Sequence, residues 1–304
     1  MNPFLIYPDL PGSVKFRTPD GVYFITPEGR DCVNPRLLRR IDSCFERGVL
    51  LKDSRSTTAA LAAVSHKGTP VFLKRTNNKG LIFSLKYLFR YSRVFRAAVA
   101  AFRLEELGIR TPRVLLAGER RRGLILKAGY LATTTAGYLA TTTAPEIHSV
   151  AWLLRETGAP EAVLESFLAY AAESTAKLHA GRIEHGDLKA INFYFTGQWG
   201  PETEYGIWDL DSVRRHRSGV PAERIEKELA RVVFSTHLSA ENNPCFPKSI
   251  CSVEYIAHRL TELYRRAAGP NGGKPGEEAV LRHAVARLEY LKIHPYKPSK
   301  TELL

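Results

Sequence analysis

The feature that most constrains the fold of this chain is a change of pattern near its middle. Short β-branched or aromatic runs with turn residues between them occur at 22–26, 48–52, 57–65, 69–74, 113–117 and 123–126. Helical periodicity follows at 147–156, 160–179, 221–238, 253–268 and 277–292. Runs of strands followed by runs of helices predict an α+β fold or two lobes, not a doubly wound sheet.

Each part also contains an exception. A helical zone is predicted in the strand-rich part, from about residue 80 to Gly108. Two short strands are predicted in the helix-rich part, at 193–196 and 205–208. We place the domain boundary near residue 144, with an N-terminal lobe over 1–144 and a C-terminal helical lobe over 145–304.

A duplication precedes this boundary. Residues 128–143 contain the eight-residue sequence AGYLATTT twice. Solenoid units span roughly 20 to 50 residues, so this is a local duplication and not an architecture. We expect it beside the strand that leads into the hinge between the lobes.

Charge and composition limit the function classes. With 44% hydrophobic and 25% charged residues, the chain is not mainly disordered, collagen-like or a coiled coil. Lys and Arg number 44 against 31 Asp and Glu, which gives a formal net charge of +13. This excess favours anionic partners such as phosphates or an acidic membrane surface. No nucleic-acid-binding motif accompanies the charge, so we expect no nucleic-acid partner.

The spacing of the cysteines and the N-terminal residues indicate the cellular compartment of the protein. The four cysteines form no C-x-x-C pair, and we interpret them as reduced thiols: Cys32, Cys44, Cys245 and Cys251. The first residues lack the basic start and apolar run of a secretory signal, and no run of about 18 apolar residues is present. We expect a cytoplasmic protein whose membrane contact, if any, is peripheral.

The strongest chemical pattern is HGDLKAIN at 185–192, followed by a strand and then IWDLD at 207–211. Asp187 and Asn192 have the D-x-x-x-x-N spacing of a kinase catalytic loop, and Asp209 lies 22 residues after Asp187. Phosphoryl transfer needs a carboxylate beside the attacking hydroxyl, a cation beside the moving phosphoryl group and oxygen ligands for magnesium. These residue types at this spacing predict a phosphotransferase site.

HGDLK together with DLDSVR resembles the bacterial lipopolysaccharide core kinases, which act on the Kdo or heptose of the inner core. LKDSRSTTA at 51–59, VFLKRTNNKG at 71–80 and LGIRTPR at 107–113 extend the resemblance over about residues 50–215. The resemblance implies a two-lobed protein-kinase-like fold with a small β-rich, nucleotide-binding N-terminal lobe and a larger helical, catalytic C-terminal lobe. It also implies ATP as donor, Mg²⁺ as the required ion and an anionic glycolipid, the lipopolysaccharide core, as acceptor.

The resemblance implies a role for each matching residue. Asp187 is the base that orients the acceptor hydroxyl, and Lys189 contacts the transferred phosphoryl group. Asn192 and Asp209 are the magnesium ligands, and Lys74 pairs with the α and β phosphates of ATP. The plainer alternatives are a polar surface turn for the loop residues and an ordinary strand-end lysine for Lys74.

Two departures from the kinase pattern affect the nucleotide site. Residues 54–58 stand in the place of the phosphate-covering loop but contain no glycine. We expect backbone amides and hydroxyls to cap the phosphates there, from Ser54, Ser56, Thr57 and Thr58. A plain polar turn is the alternative. The glutamate partner of the lysine is absent early in the helix, and Glu105 and Glu106 near its end are the remaining candidates.

Other polar residues have two interpretations each. We interpret His185 as a hydrogen-bonding support of the loop and His179 as a core residue, and neither as catalytic. The basic run at 214–217 either receives an anionic group of the acceptor or forms a solvated turn.

A predicted helix over 79–96 favours contact with an anionic membrane. At 3.6 residues per turn, its cationic residues share one side: Lys79, Lys86, Arg90 and Arg93. Three aromatic rings flank this stripe, which suits the lipid headgroup region: Phe83, Tyr87 and Tyr91. The alternative is that the basic side is only solvated.

We therefore predict an ATP- and Mg²⁺-dependent kinase that acts on a sugar hydroxyl of the lipopolysaccharide inner core, at the cytoplasmic face of the inner membrane. A small-molecule kinase of the aminoglycoside or choline kinase type is one alternative. A non-catalytic kinase-like protein that binds nucleotide or lipid is another, although it has no need of both magnesium ligands. The sequence leaves the acceptor sugar and the oligomeric state open.

Overall fold

Strands dominate the first part of the chain in the computed structural model, which describes residues 7, 10–64, 70–78, 80, 87–134, 147–200, 203–270 and 272–295. The strands here are β1 (Val14–Arg17), β2 (Gly21–Ile25), β3 (Val49–Asp53), β4 (Thr57–Ala63), β5 (Pro70–Asn77), β6 (Val114–Arg122) and β7 (Ile125–Thr133). The α-helices are α1 (Asp42–Arg47) and α2 (Arg93–Glu106). A 3₁₀ helix, Pro35–Arg40, precedes α1.

Helices dominate the second part, which confirms the predicted α+β class. They are α3 (Val150–Glu156), α4 (Pro160–Ala180), α5 (Ala222–Ala240), α6 (Lys248–Cys251), α7 (Val253–Ala268) and α8 (Glu277–Ile293). The strands are β8 (Ile147–Ser149), β9 (Ile183–Glu184), β10 (Phe193–Thr196), β11 (Tyr205–Ile207) and β12 (Arg214–Arg215). No helix in the described ranges is long and apolar enough to cross a membrane.

The chain divides into two compact units. The first consists of the described residues within Met1–Arg103 and Thr111–Ala140, and the second of those within Leu104–Arg110 and Thr141–Tyr296. The boundary predicted near residue 144 lies outside the described residues. The first AGYLATTT copy enters β7 through residues 128–133, and residues 135–143 of the duplication also lie outside the described residues.

One antiparallel sheet, in the order β1-β2-β6-β7-β5-β4-β3, forms the first unit. Residues directly opposite each other share a face, and the next residue along each strand faces the other way. One row across the sheet contains Phe24, Ala117, Leu131, Lys74 and Ala59. The next row contains Tyr23, Gly118, Tyr130, Arg75 and Thr58. The sheet therefore has a Lys74 face and an Arg75 face.

The Arg75 face is covered by the segment that contains α1. Apolar side chains of this segment pack on the sheet in one buried cluster, among them Val33, Leu38, Ile41 and Phe45. Tyr23 lies over Gly118, where an added Cβ would come within 2.3 Å of the tyrosine ring. Glycine at this position allows the ring to pack flat on the strand.

Helix α2 packs on the Lys74 face. Its Phe95 ring meets Phe24 of β2 edge-on, with ring centroids 5.3 Å apart. The alanines of the helix are buried, since small side chains allow close approach to the sheet: Ala97, Ala98, Ala100 and Ala101.

The predicted start of this helix near residue 80 is wrong for the described residues. Residues 87–92 form a turn and an irregular link, and α2 begins at Arg93. The reason is a capping serine, since Ser92 Oγ accepts a hydrogen bond from the Phe95 N–H at 3.2 Å. The predicted cationic stripe is therefore not continuous, because Arg90 precedes the helix. Its other members, Lys79 and Lys86, lie outside the described residues.

The second unit is a helical assembly with two small sheets. Helix α4 packs against α7, and α5 packs against α7 and α8. Strands β10 and β11 pair antiparallel, and β8 pairs with the other edge of β10. Residues 147–149 are thus a strand and not the predicted first turn of a helix, because Ser149 caps α3 by accepting from the Trp152 N–H at 3.2 Å. All four cysteines carry free thiols, as predicted.

Asp42 ties α1 to the sheet, and its replacement gives a testable prediction. Its carboxylate accepts from Arg75 Nη1 at 2.8 Å, from Arg120 and from the Tyr130 hydroxyl at 3.0 Å. Burial acts to raise the pKa of Asp42, but the Arg75 hydrogen bond and the Arg120 charge hold it below its ordinary value. The ionised Asp42 carboxylate therefore stabilises the folded protein fully above the pKa of an aspartate in the unfolded chain, about 3.9. This stabilisation is lost as the pH falls through the lower pKa that Asp42 has in the folded protein.

We expect Asp42→Asn to lower the free energy of unfolding at neutral pH by about 1 kcal/mol, a value discounted because the side chain is 37% exposed. Urea unfolding at neutral and acidic pH measures this, and the difference from wild type should narrow in acid. The exposed Asp31→Asn is the control and should be close to wild type. A difference that is independent of pH would contradict the prediction.

Candidate active site

The HGDLKAIN segment forms a tight loop between β9 and the 3₁₀ helix Ala190–Asn192. Gly186 has φ of +83°, a conformation that favours glycine. A Cβ at this position would lie 2.7 Å from the Ser212 carbonyl oxygen. The glycine of the motif therefore serves the close approach of two backbone segments.

Asp187 and Lys189 form an ion pair in this loop. Lys189 Nζ lies 3.1 Å from Asp187 Oδ2, and the two side chains are 26% and 38% exposed. Both groups remain accessible from solvent. The loop thus presents a carboxylate and an ammonium group side by side, as the sequence pattern predicts.

Asn192 and Asp209 lie on neighbouring backbone segments. Asn192 Nδ2 donates to the Asp187 carbonyl at 2.7 Å, which closes the loop. The Trp208 N–H donates to the Asn192 carbonyl at 3.0 Å, so Asp209 is the next residue beyond this contact. The hydrogen bond to the Asp187 carbonyl uses the amide nitrogen of Asn192 and not its amide oxygen.

Asp209 adopts a left-handed backbone conformation, with φ of 54° and ψ of 58°. This conformation is unfavourable for a residue with a side chain, and such strain concentrates at functional sites. The preceding Trp208 holds the chain in place: its indole N–H donates to the Ile191 carbonyl at 2.7 Å, and its ring stacks on Tyr194.

His185 links the loop to the Asp209 segment. Its Nε2 lies 3.2 Å from the Trp208 carbonyl, and its Nδ1 lies 3.4 Å from the Asp187 N–H. A carbonyl only accepts and an N–H only donates, so this pattern puts the ring proton on Nε2. The side chain is completely buried. These contacts confirm the predicted supporting role of His185.

Sequence reasoning missed Glu228, which anchors the loop from α5. Its buried carboxylate accepts from the backbone N–H of His185 at 3.1 Å and from that of Gly186. Burial acts to raise the pKa of Glu228, but the hydrogen bonds from the His179 ring and from the Gly186 N–H hold it below the ordinary value. The carboxylate is therefore ionised and is stabilised by hydrogen bonds from two backbone N–H groups of the loop and from His179.

His179 completes this buried cluster. Its Nε2 lies 3.0 Å from Glu228 Oε2, and its Nδ1 lies 2.9 Å from the Tyr264 hydroxyl. Burial holds the pKa of Tyr264 above its ordinary value, so the phenol stays protonated and donates to Nδ1. His179 is buried as predicted, but it forms part of a polar chain rather than of an apolar core.

A pattern in the sequence marks Glu228. It lies in the apolar stripe of α5 with Ile225, Leu229 and Val232, all of them buried. An acidic residue within such a stripe must find buried partners. Ser235, two turns further along the helix, adds a second anchor by accepting from the Ala190 N–H at 2.8 Å.

The side chains of the basic run at 214–217 do not all face solvent. Arg214 and Arg215 are exposed in β12, which pairs with β9. His216 turns inward instead, with Nε2 3.0 Å from the buried Glu184 carboxylate. The exposed cations beside the loop are therefore the arginines and not the histidine.

In the first unit, Lys74 and Thr57 lie on the same face of the sheet. Thr57 pairs with Thr76, and Thr76 shares the face of Lys74. Thr58 pairs with Arg75 on the opposite face, where its hydroxyl donates to Asp53 at 2.9 Å. The sequence predicts Thr57 and Thr58 at the same phosphate site, but the strand register puts their side chains on opposite faces of the sheet.

The turn between β3 and β4 is held by its own polar groups. Ser54 Oγ donates to the Thr57 carbonyl at 3.0 Å and accepts from the Thr57 N–H at 3.1 Å. In the described structure the backbone N–H groups of Arg55 and Ser56 donate no hydrogen bond within the protein. Two backbone donors at the tip of the turn thus remain for an anion.

Glu105 and Glu106 are both exposed in the last turn of α2. The earlier part of the helix that faces the sheet carries alanine, as the sequence pattern indicated.

The chain is similar to known proteins in sequence and in fold. The Lipopolysaccharide kinase (Kdo/WaaP) family matches residues 51–251. Among solved structures, WaaP in complex with acyl carrier protein has a TM-score of 0.51 and 16% sequence identity, over 83% of this chain and 90% of that chain. At this identity the likeness concerns the fold alone, and it supports the predicted fold class. Comparison with curated proteins finds no match to the chain.

Replacement of Gly186 tests the loop geometry. We expect Gly186→Ala to lower the free energy of unfolding by about 1 to 3 kcal/mol, because the backbone angle is strained for alanine and the Cβ meets Ser212. Amide hydrogen exchange over 185–192 should also become faster. Gly197→Ala is the matched control, since Gly197 has φ of +74° but nothing within 4 Å of an added Cβ. Equal effects of the two variants would refute a role for the close contact.

Replacement of Glu228 tests the anchor. We expect Glu228→Gln to lower the free energy of unfolding by about 3 kcal/mol, because it breaks a buried charged network. The exposed Glu223→Gln on the same helix is the control and should behave as wild type. Urea unfolding and amide exchange at His185 and Gly186 measure the effects. Unchanged protection of these two amides in Glu228→Gln would show that the carboxylate does not hold the loop.

Proposed function

The chain belongs to the lipopolysaccharide kinase (Kdo/WaaP) family, and on this premise we propose that it transfers the γ-phosphoryl group of ATP to a sugar hydroxyl of the lipopolysaccharide inner core. The observation that carries this proposal is the loop of the second unit. There Asp187 and Lys189 lie side by side, and the Asn192 amide closes the same turn. A carboxylate, a cation and oxygen ligands are what phosphoryl transfer requires.

Asp187 orients the acceptor hydroxyl and takes its proton. The hydroxyl oxygen forms a bond to the γ-phosphorus, and the bond from this phosphorus to the β,γ-bridging oxygen breaks, so that ADP leaves. The position of Asp187 supports this role, because the loop backbone is fixed by Glu228 while the carboxylate is 38% exposed. Lys189, at 3.1 Å from Asp187, lies where its charge stabilises the transferred phosphoryl group.

Asn192 and Asp209 are the proposed ligands of Mg²⁺. A carboxylate oxygen and an amide oxygen are hard donors that suit this ion, which takes its remaining ligands from phosphates and water. In the described part of the chain no group of three or more His, Cys, Asp or Glu side chains forms a metal cage. When bound, Mg²⁺ neutralises charge on the nucleotide phosphates.

Lys74 and the turn 54–57 are the proposed phosphate ligands of the first unit. Lys74 pairs with the α and β phosphates, and the backbone N–H groups of Arg55 and Ser56 supply further donors. Thr57 shares the face of Lys74. Thr58 faces the opposite side, so its proposed contribution is limited to shaping the turn.

The proposed acceptor is anionic and is carried by a lipid. The exposed Arg214 and Arg215 near the catalytic loop support a negatively charged acceptor over a cationic aminoglycoside.

We place the reaction at the cytoplasmic face of the inner membrane. Phe89, which is 68% exposed and next to Arg90, supports contact with a lipid surface. Tyr87 is buried and does not contribute to such contact.

The reaction class is tested by incubating the purified chain with Mg²⁺ and γ-labelled ATP in the presence of one of three acceptors: inner-core lipopolysaccharide, a simple aminoglycoside or a protein mixture. We expect label only in the lipopolysaccharide. Label in the aminoglycoside alone would identify a small-molecule kinase, and no transfer to any acceptor would support a non-catalytic protein.

Two aspartate variants separate the proposed roles. Asp187→Asn should lower turnover by at least about a hundredfold with little change in nucleotide affinity, because the residue meets the acceptor. Asp209→Asn should also weaken binding of the Mg²⁺–nucleotide complex. Steady-state kinetics with ATP and Mg²⁺ varied measure both effects, and Asp31→Asn is the exposed control. Retention of more than about a tenth of wild-type turnover by Asp187→Asn would overturn its assignment.

A further inference from the structure

A concave site with a volume of about 620 Å³ lies in the first unit, on the face of the sheet opposite Lys74. Its lining includes Asp42, Arg75, Arg120, Arg122, Lys127 and Tyr130. We call it the Asp42 cavity. Its volume is in the range of sites that hold small organic ligands.

The register of the sheet puts this cavity on the Arg75 face. Arg75 pairs with Tyr130, and Asn77 pairs with Ala128, so these four residues lie on one side of the sheet. Lys127, which also lines the cavity, is the extra residue of β7 at a shift in its register with β6. Arg120 lies two residues after Gly118 on β6 and shares that side. Lys74 faces the other side of the same strand. The Asp42 cavity therefore lies on the opposite face of the sheet from Lys74, and among the described residues it meets the turn 54–57 only through Asn77, which donates to the carbonyls of Ser54 and Ser56.

Two arginines of the cavity have hydrogen-bonding capacity left over. Asp42 accepts from Nη1 of Arg75 and Nη1 of Arg120. Arg75 also donates to Asn77 and Thr58, and Arg120 to Tyr23 and the Arg39 carbonyl. A guanidinium has five N–H donors, so each arginine keeps two after these contacts. Asp42 fixes both guanidinium groups without saturating them.

The rim of the cavity adds two cations. Arg122 and Lys127 are exposed, and neither has a hydrogen bond or ion pair in the described residues. Arg121 is different, because it pairs with buried Glu119 and donates to three backbone carbonyls. Apart from Arg121, four cations face the two carboxylates Asp20 and Asp42, which leaves an excess of two positive charges.

We propose that the Asp42 cavity binds a phosphate group of a small molecule or a lipid headgroup, at a site distinct from that of the nucleotide. The charge of a phosphate monoester near neutral pH approaches two, which matches the excess. Fixed guanidinium groups present paired N–H donors with the geometry of phosphate oxygens. Tyr130 and Asn77 line the remaining wall. The Tyr130 hydroxyl donates to Asp42 and the Asn77 amide N–H groups donate to Ser54 and Thr58, so it is their oxygens that can accept from a polar group attached to the phosphate.

A purely structural role accounts for only part of this arrangement. The contacts of Asp42 hold α1 on the sheet, and they need one carboxylate and the donors that reach it. They do not require Arg122 and Lys127, whose side chains form no hydrogen bond or ion pair in the described structure and add like charge to the same concavity. A ligand that neutralises these two side chains explains their position.

The test is calorimetric titration of the full chain without Mg²⁺, using sodium pyrophosphate in one arm and glucose 1-phosphate in another. A third arm measures sedimentation with phosphatidylcholine vesicles that contain or lack phosphatidic acid. All arms are repeated with Lys74→Met, so that binding at the proposed nucleotide ligands is recognised. We expect at least one phosphate probe to bind with an affinity that Lys74→Met leaves unchanged. The probe that binds identifies a free phosphate, a sugar phosphate or a lipid headgroup as the source.

The decisive variant is Arg122→Ala combined with Lys127→Ala. We expect it to weaken binding by at least about tenfold, because two charge-assisted contacts are lost, while its thermal unfolding stays that of wild type. Arg36→Ala combined with Arg47→Ala removes the same charge from exposed positions of the same unit and should bind as wild type. Equal weakening by both double variants would mean that only net charge attracts the probes. That result, no loss in the cavity variant, or no binding of any probe would overturn the proposal.

Discussion

One buried carboxylate determines the geometry of the candidate active site. Glu228 accepts hydrogen bonds from the backbone of His185 and Gly186 and from the ring of His179. An ionised group in such a place is stable only when several donors surround it, so the loop and the helix stabilise each other. Asp187 is the next residue after Gly186, so its backbone is held in place by the same hydrogen bonds. The partly exposed carboxylate is therefore held in place without being buried itself.

The antiparallel sheet makes an equally sharp division in the first unit. Lys74 and Arg75 are consecutive, yet the pleat sends them to opposite faces. One face carries the lysine and Thr57, where the nucleotide phosphates are proposed to bind. The other carries the arginine, Asp42 and the basic rim of a second cavity. Two adjacent cations thus lie on opposite faces of the sheet, because a strand alternates its side chains.

Local patterns predicted most elements and failed where a single polar contact decided a boundary. The short β-branched and aromatic runs predicted β2 to β7 but not β1, and the periodicity of 160–179 and 253–268 predicted α4 and α7. The start of α2 was misplaced, because apolar periodicity continues through 80–92 while Ser92 caps the helix and donates its N–H to Glu119. The strand at 147–149 was missed for a similar reason, since its pairing with β10 is a contact between distant residues.

The sequence by itself determined the α+β class, the family and the order of Lys74, Asp187, Asn192 and Asp209 along the chain, because spacing and residue type are local properties. Only the tertiary structure decided which distant groups support them. Glu228 meets Gly186 across 42 residues, and Asp42 meets Arg75 across 33 and Arg120 across 78. The hydrophobic periodicity of a helix or strand gives no information about pairs of residues so far apart in the sequence. They follow from which faces the strands and helices bury, since a charge that is buried must be matched by whatever donors the fold brings to it.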